Sequence, residues 1–164
     1  MNIFLTGDVQ VGKTTALNRF MEENGISPLG FRTELNRESR ELVMKIYSPG
    51  GEESLTVGYP GPDHPLPDKD AFNEGGRLLK AMDTSGCRLI LMDELGFLEK
   101  DSLVFQEAVR ELLDGEIPVV GVLRNMPQGP FWKLLHEMEG TRVLTVDMKN
   151  RDRIPEIMKN AIFQ

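Results

Sequence analysis

The sequence predicts an α/β fold in which a mostly parallel sheet lies between layers of helices and carries added antiparallel strands at one edge. Three observations predict it. From Ala71 onward apolar strand-like runs alternate with helical segments, the order produced when parallel strands are joined by crossover helices. Between the first helix and the next, where a simple alternating chain has nothing, two runs of period-two patterning read as an added hairpin. Finally, Gly7 to Thr14 fits G-x-x-x-x-G-K-[ST] between an apolar strand and a helix, the setting of a phosphate-binding loop.

Each element has its own local reason. Asn2 to Thr6, built on Ile3-Phe4-Leu5, reads as a buried strand. Lys13 to Asn24 reads as a helix with Ala16, Leu17, Phe20 and Met21 on one side, stopped by Gly25. Leu29 to Asn36 alternates Phe31, Thr33 and Leu35 against Arg32, Glu34 and Asn36, and Leu42 to Tyr47 alternates around Val43 and Lys45. Ser54 to Val57 adds a third strand through Pro49-Gly50-Gly51. Arg32, Arg37 and Arg40 are interleaved with Glu34, Glu38 and Glu41, which predicts a solvated hairpin of mixed charge. Gly58 to Pro67 holds four prolines and two glycines and is expected to be a surface loop, continuing neither strand nor helix. After it come helix Ala71 to Asp83, strand Arg88 to Met92, helix Ser102 to Leu113, strand Pro118 to Leu123, helix Phe131 to Met138, strand Arg142 to Val146 and helix Ile154 to Ile162. Phe131 and Trp132 are assigned to core packing rather than base stacking. Arg151 and Arg153 read as a charge cluster at a helix start.

Composition limits the function classes. At 164 residues the chain reads as one domain, residues 1–164, long enough to bury roughly 70% of its unfolded surface. Cys87 stands alone, so no disulfide framework exists; a reducing compartment suits it, and a buried place at a strand edge is expected. The opening residues read as a strand rather than a secretory leader, and no apolar run reaches membrane-spanning length. A cytoplasmic protein with no membrane association is the expectation. The net charge of −7 argues against nucleic acid as a partner. His64 and His136 lack cysteine or histidine companions at ligand spacing, which argues against structural zinc. No segment identifies a protein partner.

The chemistry sits in two stretches. Gly7, Asp8, Val9, Gln10, Val11 and Gly12 form the loop whose backbone N–H groups wrap phosphate, aided by the positive end of the following helix. Lys13 then reaches the β- and γ-phosphates, Thr14 offers its hydroxyl to Mg²⁺, and Thr15 completes the binding set. Arg88 to Glu94 is an apolar run ending in two carboxylates, the pattern of a Walker B strand, whose carboxyl end faces the ligand crevice of an open α/β sheet. Asp93 is the expected Mg²⁺ ligand. Glu94, aimed to a different side, is expected to act on the attacking water, with Leu95 and Gly96 completing the strand end. Strand Pro118 to Leu123 ends in Arg124, placed to spread charge developing on a transferred phosphoryl group.

Taken together, these residues resemble the small cancer-related nucleoside-triphosphatases, a RecA-like branch of the P-loop ATPase division. Gly7 to Thr14, Gly30-Phe31-x-Thr33-Glu34, Asp93-Glu94-Leu95-Gly96 with Glu99, and Val122-Leu123-Arg124 carry the resemblance, which spans nearly the whole chain. It implies a P-loop three-layer sandwich and Mg²⁺-dependent hydrolysis of ATP, GTP and other nucleoside triphosphates to diphosphate and phosphate. The chain departs from the family pattern at Phe97-Leu98 and at Leu123, where a histidine is usual. Two other functions stay open at this point. One is a nucleotide or nucleoside kinase, opposed by the lack of arginine in Gly58 to Pro67; the other is a nucleotide-dependent switch or assembly protein.

Overall fold

The computed structural model describes residues 1–163. In chain order the elements are β1 (Asn2–Thr6), α1 (Lys13–Glu23), β2 (Leu29–Leu35), β3 (Leu42–Ser48), β4 (Gly51–Tyr59), β5 (Leu66–Pro67), α2 (Lys69–Ala81), β6 (Ile90–Leu95), α3 (Leu103–Asp114), β7 (Val119–Leu123), α4 (Trp132–Glu137) and β8 (Thr141–Thr145). A single 3₁₀ turn, Arg151–Arg153, then leads into α5 (Ile154–Ile162). The strands form one eight-stranded sheet in the order β5-β4-β3-β2-β6-β7-β1-β8. From β2 to β8 every pairing is parallel; from β2 outward to β5 every pairing is antiparallel. The added hairpin therefore extends the sheet at one edge, as its alternating pattern predicts.

The central strands are apolar throughout because both of their faces are covered. Along β1, Ile3 and Leu5 point into one core while Phe4 points into the other. Residues Ile90 and Met92 of β6 are likewise separated from Leu91. One core joins the sheet to α2 and α3 through Phe72, Leu79, Phe105 and Val109. The second joins it to α1 and α5 through Leu17, Phe20, Ile154 and Met158. Helix, sheet and helix thus make three layers. Phe131 is fully buried in the first core, in line with its assignment to packing.

Four sequence expectations are corrected here. The Gly58 to Pro67 stretch is not wholly loop: β4 runs on to Tyr59, and Leu66–Pro67 returns beside it, with Gly58 opposite Pro67 and Tyr59 opposite Leu66. Proline is tolerated there because β5 is the edge strand, with no further ladder to supply. Helix α2 begins at Lys69, two residues earlier than Ala71, since the Asp68 side chain accepts the Ala71 amide at 3.0 Å and caps it. Strand β6 is Ile90–Leu95 rather than Arg88 to Met92: its neighbours β2 and β7 both pair through Asp93, and the β7 register resumes at Leu95, passing over Glu94 at an irregularity. Cys87 precedes that strand and is only partly buried, its thiol donating to the Leu89 carbonyl at 3.0 Å.

Candidate functional site

The loop from Gly7 to Gly12 leaves β1 and enters α1 with a backbone that side chains resist. Gly7 and Gly12 have φ of 139° and 102°, values that glycine alone adopts freely. At Gly7 a Cβ would also collide with the Val146 carbonyl oxygen. Helix α1 starts with no capping side chain and no acidic residue in its first turn, in contrast to α2. Its leading N–H groups therefore have no side-chain acceptor, which leaves a positively polarised mouth of the kind that binds anions.

Lys13 folds back over this mouth and donates from Nζ to the Gly7 carbonyl at 2.7 Å. Burial lowers its pKa, while Glu94 works in the opposite direction. The Thr14 hydroxyl donates to Asp93 Oδ2 at 3.2 Å, so the first turn of α1 meets the end of β6. Loop, helix start and strand end come together as the spacing predicts. A recess of about 390 Å³ runs along this seam, lined by Gln10, Lys13, Thr14, Thr15, Glu94 and Arg124 among others.

Glu94 and Arg124 line that recess as a pair. Arg124 Nη1 stands 3.6 Å from Glu94 Oε1, and the Arg124 amide donates to the Leu95 carbonyl at 2.8 Å, which fixes the end of β7 against β6. The Glu94 amide in turn donates to Thr33 Oγ1 of β2 at 3.4 Å. Burial raises the pKa of Glu94, and the Arg124 guanidinium pulls it back. Asp93 is raised for the same reason, partly offset by Arg32 and by the Thr14 hydroxyl.

Arg32 corrects a sequence expectation. Instead of lying on a solvated hairpin, its side chain is only 17% exposed; Nε donates to Asp93 Oδ2 at 3.2 Å and Nη2 to Asn18 Oδ1 at 2.7 Å. Parallel pairing sets Arg32 of β2 opposite Asp93 of β6, a register that residue patterning within one strand cannot reveal. Arg40 lines a second cavity beyond Glu94, whereas Arg37 remains exposed as expected. Arg151 is also more involved than a helix-start charge: with Gly12, Thr15, Ala16, Arg19 and Asp152 it lines a recess of about 290 Å³ beside the loop. Arg153 is exposed and outside it.

Glu99 is buried at 4% exposure and accepts the Gly96 amide. Gln106 Nε2 donates to the Glu99 and Lys100 carbonyls, both at 2.8 Å, and so pins the turn that carries it. Burial pushes the Glu99 carboxyl up to about 7 against the pull of the Gly96 amide. Its signal in the sequence is the acidic residue closing the segment after Gly96, which an apolar-strand pattern does not single out.

The donors near Asp93 suit a hard divalent cation. A hydroxyl and a carboxylate oxygen lie adjacent, and among the described residues no group of three or more His, Cys, Asp or Glu side chains forms a protein cage. Mg²⁺ typically binds that way, through one or two protein oxygens together with water and substrate phosphates. The residues present therefore fit Mg²⁺. No helix among the described residues is long and apolar enough to cross a membrane.

Known proteins resemble this chain over nearly its whole length. The nucleoside-triphosphatase THEP1 of Thermotoga petrophila is 30% identical, covering 94% of this chain and 88% of the relative. Its namesake from Methanosarcina acetivorans is 28% identical over 100% of this chain and 98% of the relative. The mouse cancer-related nucleoside-triphosphatase homolog is 27% identical over 98% and 94%. The crystal structure of THEP1 from Aquifex aeolicus superposes with a TM-score of 0.77 at 23% identity over the full length of both chains, which establishes a shared fold. A family model described as NTPase matches residues 2–158, and the chain belongs to that NTPase family.

Proposed function

We propose that the protein is a single-domain, cytoplasmic enzyme that hydrolyses nucleoside triphosphates to the diphosphate and phosphate with Mg²⁺. The observation that supports this most is the convergence of Lys13, Thr14, Glu94 and Arg124 on one recess at the mouth of α1. The curated relatives named nucleoside-triphosphatases point the same way.

In this reading the amides from Gly7 to Thr15 hold the phosphates. Lys13 leaves the Gly7 carbonyl to reach the β- and γ-phosphates. Thr14 and Asp93 hold Mg²⁺, which when bound neutralises phosphate charge. Glu94 accepts the proton of a water whose oxygen attacks the γ-phosphorus as the bond to the bridging oxygen breaks. A carboxylate raised by burial toward neutral pH is a better base for that task than a fully solvated one. Arg124 donates to the equatorial oxygens as charge spreads over them. The recess beside Gly12, Arg19 and Arg151 takes the nucleoside.

The test is phosphate release from ATP, GTP, CTP and UTP in the presence of Mg²⁺, for the parent and for Glu94→Gln. Glu94→Gln is expected to bind nucleotide normally and to lose about 10²-fold or more in turnover. Equal turnover in the two would remove Glu94 from the chemistry.

A further inference from the structure

Glu94 and Arg124 belong to two cavities. One is the recess over the α1 mouth; the other, of about 350 Å³, is lined by the same pair together with residues of β2, β3 and the segment after β6. Its volume falls in the ~300–1,000 Å³ range of small-molecule sites. Hydrolysis by water does not require a second chamber of this size.

The walls of that chamber describe its ligand. Leu35 and Leu42 of the hairpin, Phe72 of α2, and Phe97 and Leu98 after β6 give it an apolar body. The Phe97 ring meets His64 edge-on, with centroids 5.1 Å apart at 87°, so a flat aromatic surface is held in place at the wall. The ionic groups are the carboxylates Asp63, Glu94 and Glu99 against the guanidiniums Arg40 and Arg124. Arg124 is already engaged by Glu94. With the Glu99 carboxyl buried, held by the Gly96 amide and pushed up to about 7, Asp63 and Glu94 balance Arg40 and Arg124. A chamber with no surplus cation offers little to a second anion and favours a neutral molecule with N–H and O–H donors. A heteroaromatic plane suits the apolar wall, ring N–H groups suit the Asp63 carboxylate, and a hydroxyl suits Glu94. A bare sugar lacks the plane, and a nucleoside monophosphate carries a dianion.

We propose that the second cavity binds a nucleoside as phosphoryl acceptor, giving the protein a nucleoside kinase activity at the Glu94–Arg124 pair that lines both cavities. The inference rests on the nucleotide donor occupying the site described under the proposed function. In the step, the acceptor hydroxyl oxygen bonds to the γ-phosphorus and the bond from that phosphorus to the bridging oxygen breaks. The hydroxyl proton passes to the Glu94 carboxylate and then to solvent, leaving nucleoside monophosphate and diphosphate. The Pro60 to Pro65 loop lines the chamber without an arginine of its own; Arg40, from the turn between β2 and β3, supplies one.

The experiment uses the full chain, Mg²⁺ and γ-labelled ATP, with adenosine, guanosine, cytidine, uridine or thymidine added singly at millimolar concentration, and separates labelled monophosphate from labelled phosphate. At least one nucleoside is expected to become labelled, with label in free phosphate falling by a matching amount. Leu35→Trp places an indole at the chamber wall from a strand position that is 52% exposed, so the fold should tolerate it. That variant is expected to lose monophosphate formation by about tenfold while keeping acceptor-free phosphate release close to the parent's. Absence of labelled monophosphate with every nucleoside, or its undiminished formation in Leu35→Trp, would overturn the proposal. Acceptor-free phosphate release reads hydrolysis separately: if it persists without transfer, only the acceptor site falls, and if it is absent while transfer occurs, only the hydrolase reading does.

Discussion

Arg32 and Asp93 form an ion pair whose side chains are only 17% and 7% exposed, and a double-variant cycle on them measures how much of the site is held by that contact. Arg32→Met keeps most of the apolar stem and removes the guanidinium. Asp93 is then left buried with the Thr14 hydroxyl as its remaining hydrogen-bond donor. Breaking one side of a buried pair costs about 3–5 kcal/mol; with Thr14 still donating, about 3 kcal/mol is expected. For a chain of 164 residues each kcal/mol moves the melting temperature by about 2–4 °C, so Arg32→Met should melt about 6–12 °C lower.

The sign of the pH dependence follows from Asp93. Its folded pKa already lies above the usual carboxylate value because of burial, and Arg32 is the largest influence pulling it down. Without Arg32 it rises further. A carboxyl whose folded pKa exceeds its unfolded one makes the native state bind more protons, so stability grows as pH falls through the folded value. The deficit of Arg32→Met should therefore shrink on acidification. In the Asp93→Asn background the same substitution should cost about 2 kcal/mol less, since no buried charge is orphaned. Urea titrations without Mg²⁺ or nucleotide, at unchanged m-value, read the cycle directly. Equal costs of Arg32→Met in both backgrounds would refute the argument that this contact neutralises Asp93.

Lys13→Ala should abolish Mg²⁺-nucleotide binding in calorimetry while leaving the melting temperature close to the parent's, because Nζ is held by one carbonyl alone; retained binding would remove Lys13 from the phosphate site. Glu99, pushed up to about 7, should make stability fall by about 3 kcal/mol as pH rises from its unfolded value toward 7 and stay flat above. Glu99→Gln keeps an acceptor for the Gly96 amide and should remove that slope, and parallel denaturation profiles for the two proteins would contradict this. Phe131→Ala opens a cavity at a fully buried position and should cost about 3–5 kcal/mol without weakening nucleotide affinity of the folded fraction; a selective loss of affinity would restore the base-stacking role set aside above.

What the sequence made legible was local. The loop from Gly7 to Thr14 declares itself because its glycines answer a backbone demand that no side chain can meet, and α5 begins and ends at Ile154 and Ile162 as its periodicity predicts. Buried strands are equally plain, since a ribbon covered on both faces must be apolar throughout. Partners across strands left no such trace. The pairing of Arg32 with Asp93 depends on β2 lying beside β6 in a particular parallel register, and nothing within either segment encodes the other's position. Arg32 therefore looked like one of a set with Arg37 and Arg40, although pairing sends it to Asp93 at the end of β6. The prolines of Gly58 to Pro67 misled in the opposite way: they exclude a central strand but permit an edge one, and only the sheet order distinguishes the two.

The hairpin that interrupts the alternating pattern is what gives the site its second side. Strand β2 delivers Arg32 to Asp93 and Thr33 to the Glu94 amide, and its continuation through Leu35 and Arg40 walls the chamber beyond Glu94. In a sheet ending at β6 the carboxylates of Asp93 and Glu94 would lie at an open edge, exposed to water from one flank, where Coulomb interactions are weak. Adding β2 to β4 moves that edge outward by three strands and makes β6 an interior strand. Burial then raises both carboxyls and strengthens the ion pairs that hold them. The antiparallel extension and the tuning of the acidic pair are thus one structural device, and shortening the hairpin turn between Asn36 and Glu41 should leave the Gly7 to Gly12 loop intact while altering the chamber lined by Glu94.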